Sequence, residues 1–268
     1  MQLSEFFNEL WTDYIRLSPQ AESIHELFEQ VDGPVCNDHV AFRTFSDSPI
    51  ALDKLQKHIL SLGYTPDEDY DFPEKKLNAR SYVHATAPEA PLIFFSELRW
   101  LELPPALRQI IQNIIASIDQ GAAANIDVLW RGLLWPRIRW QEYTLLVEQS
   151  EYAAWLAAHG LHANHFTISL TERPTINTVA SAVEQLRSAG FRLNKSGGLI
   201  KGGPDTLLEQ VSTLADVVPV RFAAGQIHEI PGCYYEFAKR YPTREGNLFR
   251  GFVPASADKI FESTHHAR

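Results

Sequence analysis

Residues 37–45 read NDHVAFRTF, and the two polar side chains in this apolar run decide how the chain is read. Side chains of equal parity share one face of a strand. On that rule His39, Ala41 and Arg43 point one way, while Val40, Phe42 and Thr44 point the other. A guanidinium buried on so apolar a strand is costly unless something pairs with it. A histidine and an arginine on one face therefore raise the question of what both would meet.

The pattern returns at residues 163–170, ANHFTISL, again an apolar strand carrying one histidine, His165. Each histidine strand is followed by an amphipathic helix that stops at a glycine. The first helix, in IALDKLQKHILSLGY, ends at Gly63, and the second, in TINTVASAVEQLRSAGF, ends at Gly190. Each unit then closes on an apolar strand with one glutamate, Glu97 in FFSEL and Glu236 in CYYEF. Order and pattern repeat although identity between the halves is low; the bland alternative is two ordinary α+β units alike by chance. The expectation is an α+β fold in which two pseudo-symmetric β-α-β-β-β modules form a curved sheet with a metal cleft, plus added helices. The modules fall at about 34–100 and 160–240 of a single domain spanning 1–268. A helical N-terminus covers 1–30, with a helical insertion at about 101–125. In the stretch 126–150, YTLLVEQ reads as a strand, and SEYAAWLAAHG as a short helix with a serine cap and a glycine stop. The SGGLIKGGP stretch, 196–204, has the wrong glycine spacing for a phosphate loop and reads as a turn.

With 268 residues, 45% hydrophobic and 11% aromatic, the chain can bury a proper core. A net charge of −9 without a basic stripe argues against a nucleic-acid partner. No apolar run has the length of a membrane span, and the N-terminus lacks the pattern of a signal peptide. Two cysteines, Cys36 and Cys233, do not make a disulfide framework, so a reducing cytoplasm is expected.

If the modules pair about a pseudo-twofold axis, His39 and His165 reach the same point from equivalent strands. A glutamate from one closing strand would complete two imidazoles and a carboxylate with open positions opposite, an arrangement suited to non-heme Fe(II). A lone strand histidine is more often a hydrogen-bonded structural residue; among ten histidines, the repeat singles out these two. A helical site from His159, His162 and His165 is disfavoured by Gly160 and Asn164. His265 and His266 read as tail.

The pattern resembles the vicinal oxygen chelate superfamily. More narrowly, NDHVAFRTF, NHFTISL, YYEFAKR and the closing FVPASADKIFEST resemble the family once called domain of unknown function 1338. Its characterised members are 2-oxoadipate dioxygenase/decarboxylases, also called 2-hydroxyglutarate synthases. The resemblance runs from about residue 30 to the end. It implies that His39, His165 and Glu236 bind Fe(II), that dioxygen is a co-substrate, and that a small 2-oxo acid is the substrate. It also implies that Arg43 contacts that substrate near the metal, and that backbone groups around Ala255 and Ser256 border it. A dicarboxylate needs a further cation or N–H donors at its far end, for which Lys76, Arg80, Lys201 and Arg240 are candidates. The competing readings are a glyoxalase-like metal-dependent lyase or isomerase, favoured if Glu97 also ligates, and a non-catalytic ligand-binding module.

Overall fold

The computed structural model describes residues 1–264; the histidines read as tail, His265 and His266, lie outside the described residues. Two helices, α1 (Leu3–Tyr14) and α2 (Pro19–Asp32), precede the first module. That module runs β1 (Asn37–Phe45), α3 (Leu52–Ser61), β2 (Tyr64–Phe72), β3 (Leu77–His84) and β4 (Leu92–Leu98). Three helices follow, α4 (Pro105–Ser117), α5 (Trp140–Val147) and α6 (Glu151–His159). The second module runs β5 (Ala163–Ser169), α7 (Val179–Ser188), β6 (Lys201–Gly203) and β7 (Leu208–Ser212). A separate hairpin, β8 (Val217–Arg221) and β9 (Ile227–Pro231), interrupts it before its last strand, β10 (Tyr234–Arg240). Helix α8 (Pro254–Ile260) comes last, followed by a short 3-10 turn.

One eight-stranded sheet joins the modules in the order β2-β3-β4-β1-β5-β10-β7-β6. The order is a palindrome of module positions, with the axis between β1 and β5. These two strands pair antiparallel, His39 opposite Thr167 and Ala41 opposite His165. That reciprocal register makes His39 and His165 equivalent about the axis. Each then pairs in parallel with its own module's closing strand, β1 with β4 and β5 with β10.

Strand alternation places Phe42, Phe95, Phe166 and Phe237 on the face opposite the two histidines, and all four are fully buried. Helices cover that face. Tyr14 of α1 packs on Phe166 with ring centres 4.9 Å apart, and Phe28 of α2 stacks on Phe237 at 5.0 Å. The buried stripes Leu55 and Ile59 of α3, and Val179, Ala182, Val183 and Leu186 of α7, follow the three-and-four spacing of amphipathic helices. Burying this apolar surface is the main stabilising term.

Residues 140–147 form a helix, not the strand expected from YTLLVEQ. Glu142 accepts from the Arg139 backbone N–H at 2.8 Å, closing the first turn, and Tyr143 and Leu146 are buried at i and i+3. Tyr143 packs on Phe222 beside the β8–β9 hairpin. This tertiary contact overrides the strand preference of Tyr, Thr and Val.

Helix α6 begins as expected, with the Ser150 side chain accepting from the Ala153 N–H. It ends at Gly160, whose φ of 89° is left-handed. A Cβ there would overlap the Gly132 carbonyl. The turn delivers the chain into β5 five residues before His165. Replacing Gly160 with Ala should therefore cost more than about 2 kcal/mol from left-handed strain plus overlap. A melting temperature lowered by roughly 4–8 °C in calorimetry is expected for a chain of this size; an unchanged value would show that the turn relaxes freely.

Candidate metal centre

His39, His165 and Glu236 converge on the concave face. One donor atom from each lies within 4.8 Å of the others, and all three residues are buried. His39 Nε2 lies 3.3 Å from His165 Nε2 and 3.7 Å from Glu236 Oε1, and His165 Nε2 lies 3.5 Å from Glu236 Oε2. Imidazole and carboxylate bonds of about 2.0–2.2 Å to one ion imply donor separations close to these.

The hydrogen bonds behind the donors decide their protonation. His39 Nδ1 lies 2.7 Å from Asp38 Oδ1, and only the ring can supply a proton to that carboxylate. His165 Nδ1 likewise faces Asn164 Oδ1 at 3.3 Å. Both Nε2 atoms therefore carry lone pairs, and the two lone pairs point at each other. The Thr167 hydroxyl, 3.1 Å from His39 Nε2, can satisfy only one of them. Glu236 Oε1 accepts from Gln210, while Oε2 is buried without a hydrogen-bond partner among the described residues. Two facing lone pairs and an orphaned buried carboxylate oxygen are what a divalent cation would satisfy.

Burial, reinforced by the positive field of Arg43, holds the His165 imidazole well below its ordinary pKa, so the ring stays neutral and able to ligate. Burial raises the Glu236 pKa, outweighing the Gln210 hydrogen bond. Burial also opposes ionisation of Asp38. There the Arg240 guanidinium and the His39 hydrogen bond win, and the carboxyl is held well below the usual range.

Arg43 is buried on the same face, beyond Ala41. Its guanidinium lies 5.0 Å from the ring centre of Tyr152 and 5.2 Å from that of Trp155, and Nη2 donates to Thr264 Oγ1 at 3.5 Å. A cavity of about 200 Å³ is lined by Arg43, Lys76, Glu151 and Tyr152 among others. Tyr234 stacks on His165 with ring centres 4.7 Å apart.

Other candidate residues are placed elsewhere. Glu97 pairs with Thr44 in the β1–β4 register, so it lies on the helix-covered face, where its Oε2 accepts from the Leu52 N–H at 3.0 Å at the start of α3. It is not the counterpart of Glu236, as the matched closing strands suggested. His39 pairs with Leu92 and His165 with Tyr234, so the counterpart of Glu236 is Phe94. Arg80 is on the helix-covered side, bonded to Asp69 at 2.6 and 3.0 Å. Lys201 donates to the Asn194 carbonyl at 2.9 Å. Arg240 is committed to Asp38 at 2.7 and 2.9 Å. Of the four proposed distal cations, Lys76 is the one that lines the Arg43 cavity. Ala255 is exposed at the start of α8, and Ser256 is buried with its N–H on the Val253 carbonyl at 3.0 Å.

The sequence reading missed Asp38, Thr167, Gln210 and Phe252. Phe252 sets its ring edge-on to His39 at 4.9 Å. The available signal was Asp38 itself, a carboxylate adjoining a histidine on an apolar strand.

The model of the 2-oxoadipate dioxygenase/decarboxylase family matches residues 6–247. A 2-oxoadipate dioxygenase/decarboxylase of Oryza sativa subsp. japonica, with a chloroplast or amyloplast location in its name, is 36% identical over 94% of this chain and 75% of its own length. The crystal structure of a rice hydroxyglutarate synthase in complex with 2-oxoadipate superposes with a TM-score of 0.92 at 34% identity, covering 97% of this chain and 91% of that one. A Shewanella frigidimarina protein described as a hydrolase superposes at 0.89 with 42% identity, covering 95% and 98%.

Glu236 supplies a test with a definite sign. A carboxyl whose folded pKa is raised stabilises the fold below its unfolded pKa, and that stability is lost as pH rises through the folded value. The metal-free protein at neutral pH should therefore carry this cost. Glu236→Gln should melt higher than the metal-free parent at pH 7. The gap should close as pH is lowered, and added divalent metal should no longer raise the melting temperature. A lower melting point for metal-free Glu236→Gln at pH 7 would overturn this assignment. Glu97→Gln should leave metal content intact.

Proposed function

Because the chain belongs to the 2-oxoadipate dioxygenase/decarboxylase family, we propose that His39, His165 and Glu236 hold Fe(II) and that Arg43 holds a carboxylate of the bound 2-oxo acid. The chain is an enzyme that converts 2-oxoadipate to 2-hydroxyglutarate. The reaction balances with dioxygen as oxidant: 2-oxoadipate and O2 give 2-hydroxyglutarate and CO2. Both oxygen atoms are consumed, one entering the new carboxylate and the other entering as the hydroxyl, while CO2 leaves with the two oxygens of the original carboxylate. The observation that carries the site assignment is the trio of converging, buried donors with a buried arginine on the same strand face.

When bound, Fe(II) would supply Lewis acidity towards the 2-oxo acid and the electrons for dioxygen chemistry. The protein's own groups do the rest. The two imidazoles and the Glu236 carboxylate would hold the ion and leave it room for further ligands. Ala41, between His39 and Arg43, contributes only a methyl group and leaves room above the strand. The Tyr152 and Trp155 rings beside the guanidinium orient its planar fork and keep it poorly hydrated, so it favours a two-point carboxylate contact. Phe252 and Phe94, with ring centres 4.8 Å apart, keep the His39 side of the centre apolar. The Asp38 and Arg240 charges cancel locally, so the charge that a divalent ion adds is left for Glu236 and an anionic substrate to meet.

Glu97, occupied at the start of α3, offers no fourth ligand for a glyoxalase-like arrangement. Among the described residues no helix is long and apolar enough to cross a membrane. Both cysteines are free, which supports the reducing cytoplasm as the proposed location.

Protein prepared without oxygen and loaded with Fe(II) should take up one O2 and release one CO2 for each 2-oxoadipate turned over. Absence of oxygen uptake would overturn the iron assignment. Arg43→Lys keeps the charge and loses the fork. It should retain fold and metal affinity while oxygen uptake with 2-oxoadipate falls by roughly 10²-fold or more, the order for lost positioning and electrostatic contacts. If it instead melts several degrees lower and turns over normally per folded molecule, Arg43 is a structural residue.

A further inference from the structure

Arg240 was a candidate for the substrate's far carboxylate, and the structure gives it other work. Its side chain is buried, and every nitrogen of the guanidinium donates. Nε and Nη2 bind the two oxygens of Asp38 at 2.7 and 2.9 Å. Nη1 binds the backbone carbonyls of Phe249 and Gly251 at 3.1 and 2.8 Å. Asp38 passes the contact on, because its Oδ1 also accepts from His39 Nδ1.

The two carbonyls belong to a strap, residues 249–252, that crosses the concave face after β10. Phe252 at its end stands edge-on to His39, lies 5.4 Å from the Arg240 guanidinium and is flanked by Phe94. The Phe249 N–H donates to the Tyr241 carbonyl at 3.1 Å. The Phe252 N–H donates to the Tyr70 hydroxyl at 3.2 Å, and the Arg250 side chain reaches the Pro88 and Ala90 carbonyls.

We propose that Arg240 is a positioning residue that couples closure of the 249–252 strap to the orientation of His39 through Asp38. The coupling follows from geometry. The guanidinium is planar and rigid, so its Asp38 fork and its two carbonyl bonds share one orientation. If the strap lifts, Nη1 loses two acceptors, the fork loses its anchor, and Asp38 is freer to turn away from His39 Nδ1. Conversely, an ion held by His39 Nε2 strengthens the Nδ1–H bond to Asp38 and so holds the fork and the strap. By linkage the effect is reciprocal: a metal that favours the closed strap is itself bound more tightly when the strap is closed. The inference rests on the metal-site reading above.

Cobalt(II), added under anaerobic conditions and followed by its visible absorption, is the probe. Hydrogen exchange of the peptide covering residues 249–252 reports the strap. In the parent, Co(II) should slow that exchange. Arg240→Lys keeps a charge for Asp38 but cannot bind Asp38 and both carbonyls in one plane. It should bind Co(II) about 10–100-fold more weakly, the scale for losing an outer partner of a metal-bound histidine, and Co(II) should no longer protect the strap. A merely structural ion pair would lower the melting temperature but leave Co(II) affinity and strap protection at parent values, and that result overturns the proposal. Should Arg240→Lys not fold, Tyr70→Phe loosens the strap from its far side without touching Asp38 or Arg240. It should weaken Co(II) binding several-fold, and parent affinity there overturns the proposal equally. If the parent binds no Co(II), the metal reading falls and this inference with it. If the parent binds Co(II) and the variants bind it as well as the parent, only this inference falls.

Discussion

Two imidazole nitrogens, Nε2 of His39 and Nε2 of His165, face each other at 3.3 Å with their protons committed to the far sides of their rings. The arrangement depends on the reciprocal register of β1 and β5, His39 opposite Thr167 and Ala41 opposite His165. A slip of one residue would turn one ring to the helix-covered face. The sheet order, the helices on the opposite face and the left-handed turn at Gly160 all serve to hold that register.

The pseudo-symmetry is used for the imidazoles and abandoned for the third donor. Register equivalence puts Phe94 where the second module has Glu236. A second carboxylate there would add another buried negative charge. Phe94 instead joins Phe252 and Tyr70 in an apolar wall. One half of the cleft thus carries the anion and the other keeps the centre dry.

Buried charge is managed in pairs. Asp38 and Arg240 satisfy each other and fix His39, so this ion pair contributes orientation more than stability. Among the described residues Glu236 is left with one unpartnered oxygen, and Arg43 sits beside the Tyr152 and Trp155 rings. An unpartnered buried carboxylate oxygen is costly in an empty fold and favourable once a cation meets it. Stability is given up locally to preorganise a site, a common feature of functional centres.

The repeat of histidine strand, glycine-stopped helix and apolar closing strand was legible in the residues, because alternation and three-and-four spacing are local properties of a chain. So was the pairing of His39 with His165, since equivalent places in a repeat meet at its axis. Family resemblance singled out Glu236 over Glu97, which the residues alone left open. Tertiary structure decided what spacing could not reach. It set Glu97 on the opposite face three residues out of register, turned YTLLVEQ into a helix against Phe222, and gave Arg240 to Asp38 and the strap. Each of these outcomes depends on the offset between segments far apart in sequence, and an offset is fixed by turns and packing that no single strand encodes.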